Sequence, residues 1–146
     1  MLRKCYGAKM MRKRQIADRN IEGYEYKMSY QQALEAAGAK VLAFQEFGDW
    51  QGSWVAFVEY NGERGWIHGW FGSCDHCDAF QAEFGWGAEE QEDYEQHLKD
   101  FGMVYVRAMM TTDKVLRYFL ADSEWDSEAE NAVFWIRETA QTYRVV

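Results

Sequence analysis

The stretch VLAFQEFGDWQGSWVAFVEYNGERGWIHGWF, residues 41–71, decides the fold. Its first apolar run, residues 41–44, leads to Gly48-Asp49-Trp50-Gln51-Gly52, a turn composition. Trp54, Ala56 and Val58 then alternate with Val55, Phe57 and Glu59, which predicts a second strand buried on most of both faces. Asn61-Gly62 follows, and a type I′ hairpin turn needs positive φ at both of its central residues, which Asn and Gly tolerate best. Residues 63–70 form the third strand, with Trp66, His68 and Trp70 pointing one way. The product is a meander of three antiparallel strands.

Helical signals surround it. Upstream, Ser29 reads as an N-cap with Gln32 as its capping-box partner, and the helix 30–37 closes at Gly38 with Ala33, Leu34 and Ala37 on one face. Downstream, residues 78–84 form a short helix that packs Ala79, Phe80 and Phe84 inward, and Gly85-Trp86-Gly87 breaks it. A helix over 89–101 stops at Gly102. The partial alternation of Val104 and Val106 fits either a fourth strand or a helix over 103–110, and the strand is the favoured reading. Thr112 caps a helix through 120, and Ser127 caps a last one to about 143. There Ala132, Trp135, Ile136 and Thr139 make a core-facing stripe. The predicted class is α+β, a three- to four-stranded antiparallel sheet packed with helices.

At 146 residues, of which 48% are hydrophobic and 17% aromatic, the chain suffices for one packed domain. No apolar run approaches the ~20 residues that cross a bilayer. Basic residues Arg3, Lys4, Lys9, Arg12, Lys13 and Arg14 interrupt any signal-like segment near the start, so a cytoplasmic location with reduced thiols is expected. Charge divides unevenly. Residues 1–20 carry seven Lys/Arg against Asp18, a basic arm of +6, and the net −8 leaves −14 on the predicted domain 21–146. Such a body repels nucleic acid and membranes of like charge, and attracts proteins with basic, nucleic-acid-binding surfaces.

Metal chemistry is suggested by His68-Gly-Trp-Phe-Gly-Ser-Cys74-Asp75-His76-Cys77-Asp78. Two thiolates at C-x-x-C spacing reach one Zn2+ from a single turn. No second C-x-x-C or H-x3–5-H completes the site, so His97 and His68 are the expected further ligands. Asp78 is the substitute and Asp75 a further candidate, whereas His76, between the cysteines, is expected to point away from a metal they share. A closed structural zinc after the third strand is the expectation, because no H-E-x-x-H or H-x-E pattern accompanies the cysteines. A redox pair is disfavoured, since Asp75 and Asp78 raise rather than lower thiol pKa values.

Carboxylates cluster twice. Glu89, Glu90, Glu92, Asp93 and Glu95 fall within seven residues, and Asp122, Glu124, Asp126, Glu128 and Glu130 form a second group. On the predicted helix Glu89, Glu92, Asp93 and Gln96 share a side opposite Tyr94, Leu98 and Phe101. Such faces serve solubility, or dock on a basic groove in the manner of DNA phosphates. Glu89, Glu90, Glu92, Asp93, Glu95, Asp122, Glu124 and Asp126 are therefore the candidate partner-binding residues. Trp50, Trp54, Trp66 and Trp70 could stack bases, but a stacking platform needs a cationic surround, so core packing is expected.

The run Gly-Trp-Ile-His-Gly-Trp-Phe-Gly-Ser-Cys74-Asp-His-Cys77-Asp-Ala-Phe-Gln-Ala-Glu-Phe resembles a segment of small acidic bacteriophage proteins, over about residues 28–100. By type the chain is similar to zinc-binding anti-CRISPR inhibitors of Cas9. That resemblance implies a non-enzymatic inhibitor in the cytoplasm of a bacterial host, one that occupies a basic surface of its target and blocks nucleic-acid loading. The basic residues 1–20 depart from a simple DNA mimic. The competing expectations are a small zinc-dependent enzyme acting on nucleotides or peptides, and a metal-free interaction adaptor.

Overall fold

The computed structural model describes residues 29–72, 78–85 and 87–145. In chain order the elements are α1 (Ser29–Ala36), β1 (Lys40–Gly48), β2 (Gly52–Tyr60) and β3 (Glu63–Phe71). Then come α2 (Ala79–Phe84), a 3-10 turn (Ala88–Glu90), α3 (Tyr94–Val106), α4 (Thr112–Leu120) and α5 (Ser127–Thr142). The sheet is open, antiparallel and ordered β1-β2-β3. The predicted α+β meander is therefore the observed one, with three strands.

Helices cover both faces, and the alternation of β2 is what permits this. Trp54, Ala56 and Val58 point to one side, where with Ile67 and Phe71 they meet Tyr30 and Leu34 of α1, Phe80 and Phe84 of α2, and Leu98 and Val106 of α3. Val55 and Phe57 point to the other, where with Phe47 and Trp66 they meet Val115 and Phe119 of α4 and Ala132 and Ile136 of α5. Every residue from Ser53 to Val58 is buried. At about 1.5–3 kcal/mol for each large apolar side chain removed from water, the central strand is the main anchor of the fold. Trp54 stacks between Tyr30 and Phe44, with ring centroids 5.0 and 5.5 Å away.

The local signals act as their chemistry dictates. Gly38, at φ 96°, follows α1 in a Schellman arrangement: its N–H donates to the Glu35 carbonyl and the Ala39 N–H to the Leu34 carbonyl. Asn61 and Gly62 have φ of 51° and 77°, the pair a type I′ turn requires. The β1–β2 register slips between Val41 and Ala43. The bulge frees the Leu42 carbonyl, which accepts a 2.8 Å hydrogen bond from the Tyr143 hydroxyl at the end of α5.

Several sequence expectations are corrected. The fourth strand does not form: α3 runs through Gly102 to Val106, and only Met110 bridges to Trp66, by two 2.8 Å backbone hydrogen bonds. Gly102 is no stop but a contact residue, since a Cβ there would lie 1.9 Å from the Ala33 carbonyl oxygen of α1. The helix predicted to start at Glu89 starts at Tyr94, after the 3-10 turn. The caps sit one residue earlier than expected. Thr111 caps α4 through the Lys114 N–H, and Asp126 caps α5 through the Glu128 N–H. Thr112 is buried instead and accepts the Trp66 indole N–H at 2.9 Å. Ser29 is the first residue of α1 rather than the one before it.

Of the tryptophans assigned to the core, Trp54 and Trp66 are fully buried, whereas Trp50 and Trp70 stand exposed. The basic arm 1–20, Trp86, and the cysteine segment with Cys74, Asp75, His76 and Cys77 lie outside the described residues.

Candidate functional site

The segment between β3 and α2 is framed by one carboxylate. Asp78 is 1% exposed and caps α2. Its Oδ1 accepts from the Tyr30 hydroxyl at 2.6 Å, the Phe80 N–H at 3.1 Å and the Gln81 N–H at 3.3 Å. Its Oδ2 accepts from the Gly72 N–H at 3.2 Å. Gly72, α1 and α2 are thus tied at one buried carboxylate, so hydrogen bonds hold both stems of the cysteine segment. Burial first, and then the Asp78 charge and hydrogen bond, push the Tyr30 hydroxyl far above its ordinary pKa. Asp78, expected as a substitute metal ligand, is engaged through both oxygens as cap and hub.

The two candidate histidine ligands are not brought together. His97, on α3, makes a 2.7 Å contact from Nε2 to Glu83 Oε1 on α2, and its ring lies 4.2 Å from Phe84. His68, on β3, lies on the opposite face of the sheet, its ring 4.0 Å from Tyr118 and 5.5 Å from Phe119 of α4. Burial lowers the His68 pKa, and its Nδ1 is buried with no hydrogen-bond partner among the described residues. One tetrahedral ion cannot take both rings. His97 is the one on the side of α2, and its carboxylate contact is of the kind that orients metal-bound histidines. Among the described residues no group of three or more His, Cys, Asp or Glu is arranged to hold a metal.

The acidic candidates all reach the surface. Glu89 and Glu90 lie on the 3-10 turn, Glu92 and Asp93 in the turn after it, and Glu95 in the first turn of α3, each exposed. The predicted single helical ridge is broken, though Glu89 and Glu95 still meet at one side chain. The half-buried Tyr94 has its pKa raised by burial and then by the charges of Glu89 and Glu95, so both carboxylates act on one hydroxyl. The apolar side of α3 holds as read, with Leu98 buried and Tyr94 and Phe101 half-buried.

Asp122, Glu124 and Asp126 occupy the α4–α5 turn, and Glu128 and Glu130 the first turn of α5, where negative charge favours the helix. Asp126 doubles as the cap. Sequence reasoning missed what this turn displays: Trp125 is 81% exposed. The signal was there, because Trp125 lies between Glu124 and Asp126 and belongs to no apolar period. It also missed the Tyr30–Asp78 bond, which no local pattern announces.

The fold and these surfaces define an acidic α+β domain, a three-stranded meander held between two helical layers. No protein-family model matches the chain, and neither does any curated protein or solved structure. No helix of the described residues is long and apolar enough to cross a membrane.

Proposed function

We propose that this chain is a non-enzymatic inhibitor of the anti-CRISPR type, acting in the cytoplasm of a bacterial host. It docks its acidic surfaces on the basic nucleic-acid-binding surface of a nuclease such as Cas9 and blocks loading of nucleic acid. The observation that carries this reading is the acidic turn around Trp125. Large aromatic side chains set in a ring of polar groups are the usual energetic centres of protein interfaces. The exposed carboxylates at 89–95 supply a second anionic surface. An anionic body competes directly with a guide–target duplex for a positively charged channel.

Cys74 and Cys77, with His97 as the histidine on the side of α2, hold a structural zinc in this proposal, and the metal adds to the hub at Asp78 rather than replacing it. His68 takes no part in it.

Binding to a Cas9-type nuclease, measured by calorimetry across salt concentrations, tests the function. Tight binding that weakens steeply with salt is expected, as is a loss of about tenfold or more when Glu89, Glu92 and Asp93 are all changed to Lys. Binding indifferent to both salt and charge reversal removes the acidic-docking mechanism.

A further inference from the structure

The α4–α5 hairpin carries complementary features at its two ends. At the turn, Trp125 projects among the exposed Asp122, Glu124 and Asp126. At the other end, the first half of α4 and the last half of α5 enclose a groove of ≈ 700 Å³. Leu116, Phe134 and Val145 give it an apolar lining, and Arg137, Arg144 and Glu138 its charges. Phe134 is 64% exposed, a large ring with nothing over it among the described residues.

Two arginines set the charge of the groove. In an acid-rich domain Arg64 and Arg117 are already engaged, by Glu59 and Asp113. Arg137 and Arg144, like Arg107 at the end of α3, are exposed and make no ion pair among the described residues, but only these two line the groove. The groove is therefore a basic, apolar-lined cleft on an anionic body, and its complement is an acidic segment with an aromatic residue at its centre. The Trp125 turn has that composition. It cannot fill the groove of its own chain, because the turn precedes α5 while the groove lies along the far half of this helix, roughly 15–25 Å away at 1.5 Å per residue.

We propose that the Trp125 turn of one copy seats in the α4–α5 groove of a second copy. The indole covers Phe134 and Leu116, while Asp122 and Glu124 face Arg137 and Arg144. The contact is heterologous: a copy that has inserted its turn still offers an open groove, so assembly proceeds head to tail into a chain or a closed ring. It requires only this protein, and a copy whose Trp125 turn is seated in a neighbour meets a nuclease through the exposed 89–95 carboxylates alone, so self-association and nuclease binding are read separately.

Sedimentation equilibrium of the full chain tests it. The weight-average mass is expected to rise with protein concentration and to fall back as salt is added. Trp125→Ala and the double change Arg137→Glu/Arg144→Glu each weaken the association by about tenfold or more, the scale of an interfacial tryptophan. All three positions are exposed, and circular dichroism checks that the variants remain folded. Mixed together, the two variants form a heterodimer and stop, since one keeps only its groove and the other only its turn. A wild-type protein that stays monomeric up to about 1 mM overturns the proposal and leaves the groove to a foreign acidic segment. Self-association that both variants retain overturns it as well.

Discussion

Tyr30 donates its hydroxyl to a carboxylate that is itself almost wholly buried, and the energetic consequence is concentrated in that one proton. A hydrogen bond to a charged acceptor contributes about 1.5–3 kcal/mol, so Tyr30→Phe is expected to lower stability by that amount in urea unfolding at neutral pH. The pH dependence has a definite sign. In the unfolded chain Tyr30 ionises near its ordinary 10.0, whereas the folded protein resists ionisation well beyond that. Above the ordinary value the folded state therefore binds the extra proton, and stability is lost as pH rises. Above about pH 10 urea midpoints are expected to fall as pH rises, less steeply in Tyr30→Phe, with the half-buried Tyr105 adding to the slope in both. Equal alkaline slopes in the two proteins count against the Tyr30–Asp78 bond as its source. At this scale the sequence told half the story. An Asp just before a helix announces a cap, but Tyr30 lies 48 residues away, and only the packing of α1 on the sheet brings it there.

At the scale of elements, α1 and α3 cross where Gly102 allows their backbones to touch. Alanine is the better helix former, yet Gly102→Ala places a methyl group against the Ala33 carbonyl, and backbone does not move aside as a side-chain end would. The expected outcome is a loss of about 1–3 kcal/mol with helix content preserved, read by denaturant unfolding and circular dichroism. A gain in stability, as propensity alone requires, would show that the two helices can separate at little cost. Gly102 also explains why the meander was legible and α3 was not. Asn61-Gly62 and the alternation around Val55 are local signals that the sheet obeys. A glycine before Val104 and Val106, by contrast, fits equally a helix stop followed by a strand or a contact inside a longer helix. Tertiary packing chose the second, burying Val106 and leaving Val104 exposed. The adjacent Thr111 and Thr112 show the same limit. Either could cap α4, and the choice fell to the Trp66 indole, which needed Thr112.

For the whole molecule, the open matter is how much the cysteine segment adds to a frame that hydrogen bonds already hold. With a structural zinc, elemental analysis of the purified protein is expected to find about one metal per chain, absent from Cys74→Ser/Cys77→Ser. Because Asp78 still ties Gly72 to α1 and α2, that variant is expected to melt earlier yet cooperatively, without collapsing to an unfolded apo form. Equal metal content in the two proteins rules the cysteines out as ligands. The candidate metal set was only partly readable for a topological reason. His68 and His97 are both plausible by spacing, and nothing local reveals that α3 packs on the face of the sheet opposite to the one His68 points to. The acidic surfaces were easier to read, since dense carboxylates rarely go anywhere but outward.

The Tyr143–Leu42 bond also bears on how the protein is made. The ribosome delivers α1 and all three strands before the residues of α4 and α5, so Phe57 and Trp66 lack their cover until both helices have emerged. Only when Tyr143 emerges can its hydroxyl reach the carbonyl that the β1 bulge left over. For that interval one side of the newborn sheet is a bare apolar surface, the kind of surface that chaperones hold and aggregates recruit.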